Sequence, residues 1–250
     1  MNAKDKKLIM FDLDGTLTKS KSPIEPIMAN LVTHLLEKKK VCIISGGGFP
    51  QFQKQVLAQL PSHVENYTNL YLMPTSGTRL YIWKGDWKQE YAEDISQVEK
   101  EKILNALKVS LKMAGYAEPE KVYGPLIEDR GSQITFSALG QSAPVEAKYA
   151  WDPSRSKRES IAKILGGKIP EFDVRIGGAT SIDITRKGVN KGYGIRKLEQ
   201  YLNISTDDIL FVGDALFLGG NDYPAKAAGV DCIQVAGPEE TQKLIENLLA

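Results

Sequence analysis

The chain has 250 residues, 42% of them apolar and 25% charged, with a net charge of +1, enough for one large domain or two modest ones. That near-neutral balance gives no field to hold nucleic acid or an anionic membrane, and no apolar run approaches the roughly 18 residues of a membrane span. Met1 to Lys7 is polar and lacks the apolar centre of a signal peptide. Cys42 and Cys232 lie in apolar runs that read as buried thiols of a reducing compartment, so a cytoplasmic protein is expected.

Taken in chain order, Leu8 to Phe11 is a short apolar strand that runs into Asp12-Leu13-Asp14-Gly15-Thr16. Ile24, Ile27, Met28, Leu31, Leu35 and Leu36 recur at helical spacing, and Lys38-Lys39-Lys40 suits the solvated end of that helix. Val41 to Ile44 is a buried strand ending in Ser45-Gly46-Gly47-Gly48, and a second amphipathic stretch begins near Gln51. This strand–helix–strand rhythm argues for a parallel sheet.

The middle differs. Tyr71 to Trp83 is β-rich with a turn at Gly77, and Gly85-Asp86 suggests a hairpin loop. A helix starts at Ser96 with Glu99 completing a capping box. Val98, Ile103, Leu107 and Leu111 form its buried stripe and Gly115 its stop. Ile127 to Phe136 reads as a strand. Asp152-Pro153 reads as the cap and first position of a helix ending at Gly166-Gly167, and Phe172 to Thr185 returns to strand. Trp83, Trp87 and Trp151 are most simply packing or interface residues of this middle part.

The last third regains the βα rhythm. A helix covers Lys191 to Leu202 and a strand Ile209 to Val212, tipped by Gly213-Asp214. A helix near Asn221 to Ala228, a strand at Cys232 to Val235 and a helix from Pro238 complete it. The expected fold class is therefore α/β: a parallel-sheet core made of residues 1–82 and 187–250, interrupted by an α+β insertion of residues 83–186.

The chemistry gathers at strand tips, where open α/β sheets bind ligands. On an extended strand Asp12 and Asp14 point to one side, and like charges held that close call for a hard cation such as Mg²⁺. Ser45 with its glycines offers a hydroxyl and amides to phosphate oxygens, and Lys191 and Asp214 sit at a helix start and a strand tip. Singly, each has a plain explanation: an Asx turn, a helix cap, a surface lysine. Together they are the inventory that phosphoryl transfer needs. His34 reads as a surface or boundary residue and His63 as a loop residue, so no histidine-based triad or metal site is built.

These four motifs, in this order and at strand tips, resemble the signature of the haloacid dehalogenase (HAD) superfamily, and the insertion resembles the α+β (C2B-type) cap of its Cof-like subclass IIB. Within that branch the chain is most similar to the eukaryotic-type phosphomannomutases. The matching strings are Phe11-Asp12-Leu13-Asp14-Gly15-Thr16-Leu17-Thr18, Ile176-Gly177-Gly178 with Ser181-Ile182-Asp183, and Gly213-Asp214 through Gly219-Gly220-Asn221-Asp222.

The resemblance implies a Rossmann-like core and an aspartyl-phosphate mechanism. Asp12 would be the nucleophile and Asp14 the general acid/base. Mg²⁺ would be held by Asp12, the Asp14 carbonyl and Asp214, with Asp222 in support. Ser45, Gly46 and Lys191 would hold the transferring phosphoryl group. In the cap, Arg130, Ser181 and Asp183 match positions that grip a phosphorylated sugar, and a homodimer through the cap is implied. Two further arginines of the mutase cap are replaced here, at Gln141 and Lys148. A neutral Gln141 weakens the clamp on a distal phosphate, which tips the reading toward a sugar-phosphate phosphatase. The alternatives are a phosphomannomutase interconverting mannose 1-phosphate and mannose 6-phosphate and, more distantly, an inactive sugar-phosphate-binding module.

Overall fold

A computed structural model describes residues 3–61 and 65–250; His63 lies outside the described residues. The chain divides into two compact units, one running to Ala92 and resuming at Val189–Ala250, the other Glu93–Gly188.

The first unit opens with β1 (Leu8–Asp12), α1 (Pro26–Lys38), β2 (Lys40–Ile44), a short α2 (Phe49–Phe52) that widens into a π-helical turn at Gln53–Leu57, and β3 (Leu70–Met73). Two further strands follow, β4 (Arg79–Trp83) and β5 (Trp87–Ala92). The second unit holds α3 (Gln97–Met113), β6 (Ile127–Asp129), β7 (Gln133–Ser137), α4 (Val145–Trp151), α5 (Ser156–Lys168), β8 (Phe172–Ile176) and β9 (Ser181–Arg186). The chain then returns to the first unit with α6 (Lys191–Leu202), β10 (Ile209–Gly213), α7 (Tyr223–Ala227), β11 (Asp231–Gln234) and α8 (Pro238–Leu249).

The first unit is a three-layer α/β/α sandwich on a seven-stranded sheet of order β11-β10-β1-β2-β3-β4-β5, parallel from β11 to β3. Strand β1 is buried on both faces, so it reads as an unbroken apolar run. Ile9 and Phe11 pack with Val32 and Leu35 of α1 and Ile245 of α8. Leu8 and Met10 pack on the other face with Ile195 and Leu198 of α6. The chain turns back at the boundary between β1 and β10, the switch point where such sheets open a crevice.

The sheet extends further than the sequence suggests. Residues 83–92 belong to this first unit and not to the insertion, because β5 pairs antiparallel with β4 at its edge. The insertion therefore begins ten residues later than the expected position 83. Trp83 and Trp87 accordingly cluster with Tyr67 in the first unit, whereas Trp151 packs beside Tyr116 in the second.

The second unit is a four-stranded antiparallel sheet of order β6-β7-β9-β8 covered on one face by helices. Ile134, Phe136, Ile182 and Ile184 meet Ile103 and Leu107 of α3 and Ile161 and Leu165 of α5. The capping box at Ser96 and Glu99 is present, and Gly115 follows α3 in a left-handed conformation. Val98 does not join the stripe; it is 77% exposed, because it sits in the first turn away from the sheet.

The stretch Ile127 to Phe136 is a hairpin rather than one strand, turning at Arg130 to Ser132. Phe172 to Thr185 likewise splits into β8 and β9. Helix α5 begins at Ser156 and runs through both glycines to Lys168. Asp152 still serves it from upstream, accepting from the backbone N–H of Lys157 and Arg158 and from the Arg158 side chain. Among the described residues no helix is long and apolar enough to cross a membrane.

Candidate active site

The register of the sheet assembles the strand tips. Asp12 pairs with Ile44, and Phe11 with Val212, so the residues just beyond β1, β2 and β10 share one edge. Asp12 is the last residue of a wholly buried strand and is itself only 2% exposed. Its Oδ1 accepts from the Lys191 ammonium, which donates also to Asp222 Oδ1. Lys191 opens α6, whose first turn is capped by the Asn190 side chain accepting from Tyr193 N–H at 3.0 Å. Asp222 is fully buried, and its Oδ2 accepts from Ala215 N–H at 3.0 Å, which shapes the loop after Asp214.

Asp12, Asp214 and Asp222 each offer a carboxylate oxygen within 4.8 Å of the others. Three carboxylates share one ammonium in a largely buried site. Burial pushes the Asp12 carboxyl up to about 7; Lys191 opposes this, while Asp222 and Asp214 add to it. Burial and Asp222 likewise raise Asp214. Burial alone would lower Lys191, but its two carboxylate partners outweigh that and raise it.

The donor set suits a hard divalent cation. Asp12 Oδ2 is buried and has no hydrogen-bond partner among the described residues. Gly15 leaves room beside Asp214: it is left-handed (φ +86°), and a Cβ there would lie 2.6 Å from Asp214 Oδ2. Asp222 has both oxygens engaged by Lys191 and Ala215 N–H, so it holds the lysine rather than offering a vacant oxygen.

Ser45 is buried at the end of β2, and its Oγ accepts from Gly47 N–H at 3.1 Å. One of the amides expected for a phosphate is thus turned onto the serine itself. The Ser45 and Gly47 carbonyls are held in turn by Ser76 and Thr75 N–H, both 2.9 Å. Asp14 accepts on both oxygens, from Gln51 and Gln55 side chains and from Lys21 N–H. Sequence reading missed those glutamines; their i, i+4 spacing on one helix face was the available signal.

In the second unit the outward residues of β7 and β9 form a polar face. Ser137 and Ser181 hydroxyls lie 3.1 Å apart, and Thr135 donates to Asp183 Oδ1 at 2.7 Å. Ser181 and Asp183 do share one strand face, as their spacing requires. Arg130, in the β6–β7 turn, pairs with Glu128 at 2.7 Å. Gln141 and Lys148 lie together, Lys148 Nζ donating to the Gln141 carbonyl at 2.8 Å.

A three-layer α/β core with an acidic cluster at its switch point, and an α+β insertion between β5 and α6, define a HAD-fold phosphoryl-transfer enzyme. The description of the eukaryotic phosphomannomutases matches residues 28–250, and the chain belongs to that family. It is 26% identical to a probable phosphomannomutase of Caenorhabditis elegans, over 99% of this chain and 97% of that one. It is also 26% identical to the phosphomannomutase of Spinacia oleracea, over 97% and 96%. Among solved structures, an IMP-bound, N-terminally truncated IMP-nucleotidase of Plasmodium falciparum superposes with a TM-score of 0.70 at 16% identity, covering 99% of this chain and 69% of that one. That last likeness concerns the fold alone.

Proposed function

We propose that this enzyme moves a phosphoryl group on a phosphorylated hexose in the manner of a phosphomannomutase, interconverting mannose 1-phosphate and mannose 6-phosphate. The observation that carries it is Asp12: a buried carboxylate with one oxygen held by Lys191 and the other unpartnered among the described residues, beside the carboxylates of Asp214 and Asp222. The names of relatives aligned along nearly the whole chain favour the mutase over the phosphatase to which Gln141 alone points.

The Asp12 carboxylate attacks phosphorus, the bond from phosphorus to the sugar oxygen breaks, and an aspartyl-phosphate forms. Asp14 gives its proton to the departing sugar oxygen and takes one back from the hydroxyl that next attacks the aspartyl-phosphate. Lys191 and Ser45 hold the phosphoryl oxygens, and Asp222 keeps Lys191 in place. Mg²⁺ would be held by Asp12, the Asp14 carbonyl and Asp214, and when bound it supplies positive charge to the transferring group. On the polar face of the second unit, Arg130 would grip a phosphate, with Ser181 and Asp183 on the sugar.

A hydrolase is the second reading, and one observation favours it. Of the two cap positions where the family likeness implies arginine, one is the neutral Gln141 and the other, Lys148, donates to the carbonyl of Gln141. Phosphorus NMR of mannose 1-phosphate with catalytic hexose 1,6-bisphosphate and Mg²⁺ separates the two. Mannose 6-phosphate with little free phosphate is expected of the mutase. Free phosphate without isomerisation would make it a hydrolase, and tight binding without turnover a binding module.

We also propose pairing of two copies through the second unit. An open groove of about 740 Å³, in which Leu104, Leu126, Ile127 and Phe136 are flanked by Lys108 and Glu118, supports it. Light scattering in solution tests it.

A further inference from the structure

The geometry points to Gln51 and Gln55 as positioning residues for Asp14, an inference that rests on the reading of Asp14 as the acid/base. Gln51 Nε2 donates to Asp14 Oδ2 at 2.9 Å. Gln55 Nε2 donates to Asp14 Oδ1 at 3.1 Å, and Lys21 N–H reaches the same oxygen at 2.6 Å. A carboxylate needs donors on both oxygens to be fixed in rotation as well as in place, and these three provide them.

The orientation of Gln55 is set by a partner that has no choice. Its Nε2 donates also to the Ser22 carbonyl at 2.7 Å, and a carbonyl only accepts, so the amide must turn its donor end to Ser22 and Asp14. Ser22 O accepts from Thr18 Oγ1 as well, at 2.9 Å, so this one side chain, 2% exposed, ties the loop after β1 to the helical segment after β2. That segment changes from α to π between the two glutamines, and π turns occur frequently at functional sites.

Gln51 touches the phosphate loop as well as Asp14. A Cβ on Gly47 would fall 2.1 Å from Gln51 Oε1, so the glycine is what leaves space for this side chain. Gln51 therefore links the Ser45–Gly47 loop to the carboxylate that handles the proton, while Gln55 links that carboxylate to the loop after β1.

A packing role and a positioning role differ in leaving-group dependence. A sugar alkoxide leaves only with a proton, whereas p-nitrophenolate leaves without one. The test measures the phosphorylation step, as single-turnover product release from mannose 1-phosphate and as the burst of p-nitrophenolate from p-nitrophenyl phosphate. Gln51→Leu and Gln55→Leu are expected to lose about 10- to 100-fold on the sugar and under about 3-fold on the aryl ester. In an Asp14→Asn background, Gln51→Leu is expected to add under about 2-fold, since its partner is already disabled.

Equal losses on both substrates, or no loss on either, would overturn the inference. So would a full further loss in the Asp14→Asn background. Asp14→Asn alone tests the underlying reading: if it affects both substrates equally, Asp14 is not the acid and the inference falls with that assignment. Should the buried Gln55 variant fail to fold, the partly exposed Gln51 variant and the double-mutant cycle decide the question.

Discussion

At the carboxyl end of β1 the charged groups outnumber their partners, while on the polar face of the second sheet they largely satisfy one another. Around Asp12, three carboxylates face one lysine, and a buried oxygen has no partner among the described residues. On β7 and β9, hydroxyl meets hydroxyl and Thr135 meets Asp183, and beside them Arg130 of the β6–β7 turn meets Glu128 of β6. The first arrangement is costly unless a cation and a phosphoryl group complete it. The second is largely paired, with Arg130 Nε the one of these atoms that is buried without a hydrogen bond among the described residues, so most contacts a substrate makes there exchange one hydrogen bond for another. Chemistry should therefore depend steeply on the first region and affinity moderately on the second.

The sharpest way to break that contrast is Asp12→Asn, expected to cost about 10⁴-fold in phosphoryl transfer while leaving the circular dichroism spectrum unchanged. An active variant would remove Asp12 as nucleophile. Lys191→Met leaves Asp12 and Asp222 facing each other without their shared cation; a loss of about 3–5 kcal/mol is expected in metal-free denaturant unfolding. A neutral result would mean the cluster does not depend on this lysine.

In the other region the effects should be smaller. Arg130→Ala is expected to raise KM for the hexose phosphate about 10- to 100-fold, with the p-nitrophenyl phosphate burst unaltered. A collapse of that burst would show that the cap arginine is not confined to binding.

The smallest expected effect is a pH dependence in the second unit. Glu99 is held down to about 2 by hydrogen bonds from Arg186 and from Ser96. A depressed folded value means that its stabilisation is fully present above the ordinary value near 4.5 and is lost as pH falls toward 2. Because the Arg186 pair is exposed to solvent, Glu99→Gln should cost only about 0.5 kcal/mol at neutral pH, with the difference vanishing near pH 2. Thermal melts of both proteins across that range provide the check.

The strand tips were legible in the sequence because their signals are local. Two carboxylates at i and i+2 after an apolar run, glycines after β2, and a capping box before α3 each lie within a few residues. Ile182 and Ile184 alternate with Ser181, Asp183 and Thr185, so their buried face is likewise readable locally. Turns inside β-rich stretches are less legible: the β6–β7 turn at Arg130-Gly131-Ser132 and the β8–β9 turn at Gly177 to Thr180 each divide what reads as one strand into a hairpin.

By itself, then, the sequence determined the α/β class, the inserted α+β unit and the residue types at each strand tip, since period and cap chemistry are properties of short windows. Tertiary structure alone decided that β4 and β5 extend the first sheet, which depends on edge pairing. It also brought Lys191 onto Asp12 across 179 residues of chain. The grip of Gln51 and Gln55 on Asp14 is of the same kind, because no local period encodes which distant carboxylate a helix face will meet.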